Sequence, residues 1–101
     1  MKKILLILLL VTFSSSAFAD SKMDLGLDVY NNKAQCGVCH TLQAAGSTGN
    51  IGPNLDQLKA QMAQIIAVVT NGTGVMPPWE GILTYEEIEA VAYYVFNSTN
   101  K

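Results

Sequence analysis

The sequence predicts an all-α domain, and three observations carry that prediction. No stretch shows strand-like alternation of useful length. Apolar residues recur at every third or fourth position in the second half of the chain, and the last such stretch opens on a helix-start signature.

Each element can be justified in order. The first helix, from about Lys22 to Asn31, directs Leu25 and Val29 inward, with Leu27 as a further candidate. The second, about Leu55 to Thr70, sets Leu55, Leu58, Met62, Ile65, Ile66 and Val69 on one stripe, and Asn71-Gly72 marks its end. The third begins at Thr84, where T-x-x-E ending at Glu87 forms a capping box that satisfies exposed backbone N–H groups. Ile88, Val91, Ala92 and Val95 then repeat at helical spacing, and Tyr93, Tyr94 and Phe96 add aromatic bulk. Two loops rich in Gly, Pro, Ser and Asn, Ala45 to Asn54 and Asn71 to Gly81, separate these helices. Loops of that length in a small domain are commonly functional.

The N-terminus reads as a secretory signal peptide: Met1-Lys2-Lys3, an apolar run from Ile4 to Phe13, Ser14-Ser15-Ser16, then Ala17-Phe18-Ala19. The apolar run has about ten residues, whereas a membrane-spanning helix needs roughly 20. Residues 1–19 are therefore expected to be cleaved, leaving 20–101 as one domain in the periplasm or an equivalent exported space, with no stable membrane insertion. An uncleaved anchor is the competing reading.

Residues 20–101 carry four lysines, no arginine and eight carboxylates, a formal charge of −4. That balance argues against nucleic acid as a partner, since such partners need clustered basic residues. A domain this short often requires a staple to complete its core. Its single pair of cysteines lies too close in sequence to brace a fold, whereas a large apolar macrocycle between helices could do so.

That pair sits in Cys36-Gly37-Val38-Cys39-His40, the C-x-x-C-H pattern of covalent haem c attachment. Cysteines three apart lie near one side of a helical turn and reach two vinyl groups on one porphyrin edge. His40 is then carried under the ring to take an axial position on the iron. Two other uses compete. A redox-active dithiol belongs to a strand-helix-strand framework that this chain lacks. A closed zinc site needs four ligands, and His40 is the only histidine.

A second axial histidine is excluded, which leaves the methionines. Met62 falls on the apolar stripe and suits core packing, whereas Met76 lies in the loop Asn71-Gly72-Thr73-Gly74-Val75-Met76-Pro77-Pro78-Trp79. The residue before a proline is pushed to extended backbone, and Pro77-Pro78 stiffens the chain beyond it. Met76 can thus hold a thioether against the iron; otherwise it covers the haem edge without bonding.

Taken together these residues resemble the small soluble class I monohaem cytochromes c. The resemblance runs from about Leu25 to Asn97 and rests on Gly26-Leu27-Asp28-Val29-Tyr30, Cys36-x-x-Cys39-His40, Gly52-Pro53-Asn54-Leu55, Val75-Met76-Pro77-Pro78-Trp79 and Ala92-Tyr93-Tyr94-Val95. It implies the class I fold, three main helices and loops wrapped around one covalently bound haem. It also implies that Gly26 marks a close crossing of the first and last helices beside Tyr94. The carbonyl of Pro53 would accept a hydrogen bond from His40, Met76 would be the sixth ligand, and Trp79 would lie near the haem, bonding a propionate or simply packing. Six positions separate Tyr30 from Cys36, longer than in the shortest members, so the first helix is expected to end in a turn around Asn31-Asn32.

The resulting expectation is an electron carrier rather than an enzyme, a monomer meeting redox donors and acceptors in transient complexes. The nearest alternative is an electron-accepting subunit of a periplasmic oxidoreductase. A haem protein with an open iron position and a dithiol oxidoreductase are the remaining ones.

Overall fold

The structure is a computed structural model and describes residues 15–101. Helix α1 spans Ser15–Asp28 and runs into a wider π turn over Val29–Lys33. A short 3-10 turn covers Cys36–Val38, followed by a hairpin of two-residue strands, β1 (Thr41–Leu42) and β2 (Ser47–Thr48). Helices α2 (Leu55–Leu58), α3 (Met62–Asn71) and α4 (Tyr85–Thr99) complete the chain. The fold is all-α apart from that hairpin, whose register pairs Thr41 with Thr48 and Leu42 with Ser47.

The core lies where α1 and α4 cross. Gly26 permits the crossing: a Cβ there would run into the carbonyl oxygen of Ala90 and lie 2.6 Å from Tyr94 Cβ. The rings of Tyr30 and Tyr94 tilt against each other at 5.9 Å. Val29, Tyr30 and Leu42 are fully enclosed, joined by Val69, Leu83, Ile88, Val91, Tyr94 and Val95. The capping box at the start of α4 is present in both halves, with Glu87 N–H donating to Thr84 Oγ1 at 3.1 Å and Thr84 N–H to Glu87 Oε1 at 2.9 Å. The helix face bearing Ile88, Val91 and Val95 turns inward as its spacing predicts.

Three expectations need correction. The first helix starts at Ser15, seven residues before Lys22, so the expected cut after Ala19 falls within α1; the part of the expected signal peptide before Ser15 lies outside the described residues. Its α portion closes at Asp28, and the extra positions before Cys36 are taken up by the π turn, closed by Ala34 N–H to Val29 O at 2.8 Å. Leu27 points outward at 36 % exposure, because Gly26 beside it occupies the crossing face. The second helix is not continuous. Lys59 adopts left-handed backbone, φ 50°, and ends α2. The break is held from afar: Lys59 Nζ donates to Thr99 O at 2.9 Å, and Asn100 Nδ2 to Ala60 O at 3.4 Å.

Candidate functional site

The attachment turn begins at Gln35, a non-glycine residue with φ 51°, which reverses the chain out of the π turn into Cys36–Val38. Cys39 N–H and His40 N–H both donate to Cys36 O, at 3.1 and 3.0 Å. The β1–β2 hairpin backs this turn closely. Ser47 Cβ lies 2.6 Å from where a Cβ on Gly37 would fall, so only glycine fits at position 37. Ser47 Oγ donates to His40 O at 2.9 Å. A serine hydroxyl has one proton, and here it goes to the carbonyl. The buried Tyr30 hydroxyl, 2.9 Å from Ser47 Oγ, is therefore the donor in that pair. Burial is the main reason the Tyr30 phenol is pushed up to about 12.

His40 is fixed from two sides. Gly52 packs against its ring so tightly that a Cβ would lie 2.6 Å from Cε1. The Nδ1–H donates to Pro53 O at 2.8 Å. A carbonyl can only accept, so Nδ1 carries the proton and Nε2 keeps its lone pair for a ligand. Gly52 N–H in turn donates to Cys39 O at 2.7 Å, tying this loop to the attachment turn.

Met76 is carried by the loop that follows α3. Thr73 and Met76 exchange backbone hydrogen bonds of 3.0 and 2.9 Å around a two-residue tip, Gly74-Val75. Trp79 N–H and Glu80 N–H then clip the loop to the end of α3, on Val69 O and Thr70 O at 2.9 and 3.3 Å. Gly72 is required where the loop doubles back: its φ is 74°, and a Cβ would meet Met76 O at 2.7 Å.

Cys36, Cys39, His40, Pro53, Met76 and Trp79 all line one cavity of about 490 Å³. Its walls are mostly apolar, with Ile65, Val68 and Val69 of α3 and Val91 and Val95 of α4. Leu58, expected inside, is 48 % exposed because it faces this cavity, as do Ile51 at 65 % and Val75 at 87 %. Such a chamber suits a large flat apolar group bonded at one edge and ligated from two sides. The Cys36 thiol is pushed up to about 11, chiefly by burial. Redox-active dithiols depend on a lowered thiol pKa, so this environment disfavours that use. Among the described residues no three His, Cys, Asp or Glu side chains gather as a metal site.

Sequence reasoning did not find Ser47, Gly52 as a ring-packing residue, or Gln35 and Gln64, the polar side chains on the cavity wall. Ser47 carries no signal of its own in the sequence. Gly52 stood within the Gly-Pro-Asn-Leu motif but without an assigned task.

A family model described as "Cytochrome C oxidase, cbb3-type, subunit III" matches residues 21–95. Cytochrome c6 of Tetradesmus obliquus is 34% identical over 87 residues, covering 76% of this chain and 93% of the relative. The chain belongs to the small class I monohaem cytochrome c family. The chloroplastic cytochrome c6 of Chlamydomonas reinhardtii is 37% identical over 99 residues; the match covers 88% of this chain and 62% of that relative's length. The crystal structure of the c-type cytochrome SorU from Sinorhizobium meliloti superposes with a TM-score of 0.76 at 44% identity, covering 81% of this chain and 95% of that one. The cofactor of this cytochrome is therefore one covalently bound haem c, with Cys36 and Cys39 at the attachment spacing, and its class of work is electron transfer.

Proposed function

We propose that this cytochrome is an exported one-electron carrier, with haem c joined to Cys36 and Cys39 by thioether bonds and its iron ligated by His40 and Met76. Haem c supplies the redox chemistry, its iron alternating between ferrous and ferric. The chain's own residues bind, orient and shield. Pro53 O holds the His40 ring and its tautomer. The clamp between Thr73 and Met76, clipped to α3, would hold the thioether at the chamber, and Ile65, Val68, Val91 and Val95 would exclude water. A thioether opposite imidazole favours the reduced iron and raises the potential relative to two imidazoles. With His40 and Met76 both holding the iron, no coordination site would be left for oxygen or peroxide, which supports a carrier rather than an enzyme. Trp79 lines the same chamber as an aromatic neighbour of the haem.

The observation that carries this reading is the hydrogen bond from His40 Nδ1–H to Pro53 O, which leaves Nε2 free in a chamber shared with Met76 and both cysteines. Electrons would pass at the edge near Cys36 and Cys39, to and from redox proteins met transiently, the chain itself acting as a monomer. Export places it in the periplasm or an equivalent space, with cleavage after Ala19 and residues 20–101 as the working domain; a mass beginning at Asp20 in exported material tests that point. The ligand set is tested by the far-red sulfur-to-iron absorption band of the oxidised protein. The band is expected in the parent and lost in Met76→Ala, where cyanide then binds readily. A parent without the band, or a variant that keeps it, refutes the Met76 assignment.

A further inference from the structure

The hairpin behind the attachment turn fixes Ser47 before the site makes use of it. Ser47 pairs in register with Leu42, which is fully buried, so the β1–β2 ladder decides where its side chain stands. From that place Ser47 Oγ donates to His40 O at 2.9 Å and accepts from the Tyr30 hydroxyl at 2.9 Å. Tyr30 is fully enclosed, and burial keeps its phenol protonated far beyond neutral pH, so it remains a donor. Two hydrogen bonds in line polarise each other, and the outer one strengthens the inner. Gly37 leaves the space this line needs. A Cβ there would lie 2.6 Å from Ser47 Cβ, 3.3 Å from its Oγ and 3.5 Å from Tyr30 Cε1.

Residue 40 is thereby held at three points. Its N–H donates to Cys36 O at 3.0 Å, its carbonyl accepts from Ser47, and its ring Nδ1–H donates to Pro53 O at 2.8 Å. The first two fix the backbone from which the ring hangs, and so govern how closely Nδ1 approaches Pro53 O. A firm Nδ1–H bond makes the imidazole a stronger base at Nε2. A stronger base favours ferric over ferrous iron, which lowers the potential.

We propose that Ser47, backed by Tyr30, is a positioning residue that lowers the reduction potential by holding His40 firmly against Pro53 O. The proposal rests on the His40 ligation put forward above. Without the Ser47 hydroxyl the carbonyl of His40 loses its tether, the Nδ1–H bond slackens and the ferrous form becomes easier to reach. The buried Tyr30 phenol is left unpaired in the same stroke, which costs stability by a separate route.

Haem-loaded parent, Ser47→Ala, Tyr30→Phe and the double variant are titrated at an electrode, one electron passing to ferric iron with no bond made or broken. Groups that bond directly to a ligating ring are worth about ten- to hundredfold in metal affinity or activity, and Ser47 acts one step further back. Ser47→Ala is therefore expected to raise the equilibrium constant for reduction about threefold, which is about 28 mV at about 59 mV per tenfold. Tyr30→Phe leaves the Ser47 proton on His40 O and is expected to raise it by less than about twofold. Guanidinium chloride unfolding separates positioning from plain stability. The double variant has no orphaned phenol, so its midpoint is expected above that of Ser47→Ala, while its potential stays with that of Ser47→Ala. A Ser47→Ala potential equal to or below the parent's overturns the proposal, as does a double variant whose potential returns to the parent's. Should Ser47→Ala take up no haem, the other two variants are read by the same rule: a raised potential supports the proposal, and an unchanged or lower one overturns it. A parent that is reversibly reduced beside an unmoved Ser47→Ala refutes the positioning role alone. A parent without haem or without reversible reduction removes the carrier reading and this one with it.

Discussion

Replacing Gly26 by alanine sets two effects of opposite sign against each other. Inside a helix alanine is favoured over glycine by about 1 kcal/mol, so a freely exposed site would gain stability. Here the new methyl would collide with Ala90 O, lie 2.6 Å from Tyr94 Cβ and 2.9 Å from Ala90 C. Two of those atoms are backbone of α4 and cannot rotate away, so relief requires parting the helices and loosening the Tyr30–Tyr94 contact. Overpacking of a closed core costs about 1–3 kcal/mol, and an immovable backbone neighbour argues for the upper end. Subtracting the helix gain leaves a net loss of about 2 kcal/mol. Guanidinium chloride unfolding of haem-loaded protein, followed by far-ultraviolet circular dichroism, should show the midpoint lowered by roughly 0.5–1 M at an unchanged slope. Gly46→Ala is the companion measurement: nothing lies within 4 Å of its Cβ position, but its φ of 68° is left-handed. That strain alone costs about 1 kcal/mol. A Gly26→Ala protein as stable as the parent, or less affected than Gly46→Ala, would refute the close-crossing argument.

Three further outcomes are expected. Gly52→Ala drives a methyl into the His40 ring and should displace it from Pro53 O, seen as an altered electron paramagnetic resonance spectrum of the ferric haem; an unchanged spectrum counts against Gly52 as the ring's support. Glu87 is held below the ordinary carboxylate range, first by the Thr84 backbone N–H and then by Lys33. Its stabilising contribution is therefore full above the ordinary glutamate range and lost as pH falls through the lowered value, so Glu87→Gln should flatten the acid limb of a stability–pH curve, and Thr84→Ala should cost about 1 kcal/mol through the lost cap. Tyr30 lies above its ordinary value of 10.0, at about 12; the unfolded chain releases that proton first, so stability should fall as pH climbs between those values, and less steeply in Tyr30→Phe.

How far the fold could be read in advance depended on whether its causes were local. The start of α4 was legible because a capping box is a four-residue device, Thr84 to Glu87, that needs no partner elsewhere. The inward face of α4 was legible for the same reason. The break between α2 and α3 was not. The apolar spacing from Leu55 to Val69 runs straight through Lys59, which is neither glycine nor proline, and the groups that hold the break, Thr99 O and Asn100, lie forty residues away. Leu58 looked like core because periodicity reports which side of a helix is apolar, not whether protein or a bound group covers it. At the site, Cys36, Cys39 and His40 announce themselves by spacing, and Met76 by its place before two prolines. Ser47 could not be found that way, since its task exists only once the hairpin folds back on the attachment turn.

Glu87 has a reach that the cap alone does not suggest. One of its oxygens closes the first turn of α4 while the other lies 3.4 Å from Lys33, three residues ahead of Cys36. The carboxylate is thus a rivet between the last helix and the strap of chain leading into the attachment turn. An enzyme that installs the porphyrin on a partly folded chain would meet Cys36 and Cys39 on a loose strap before α4 docks and on a taut one after it.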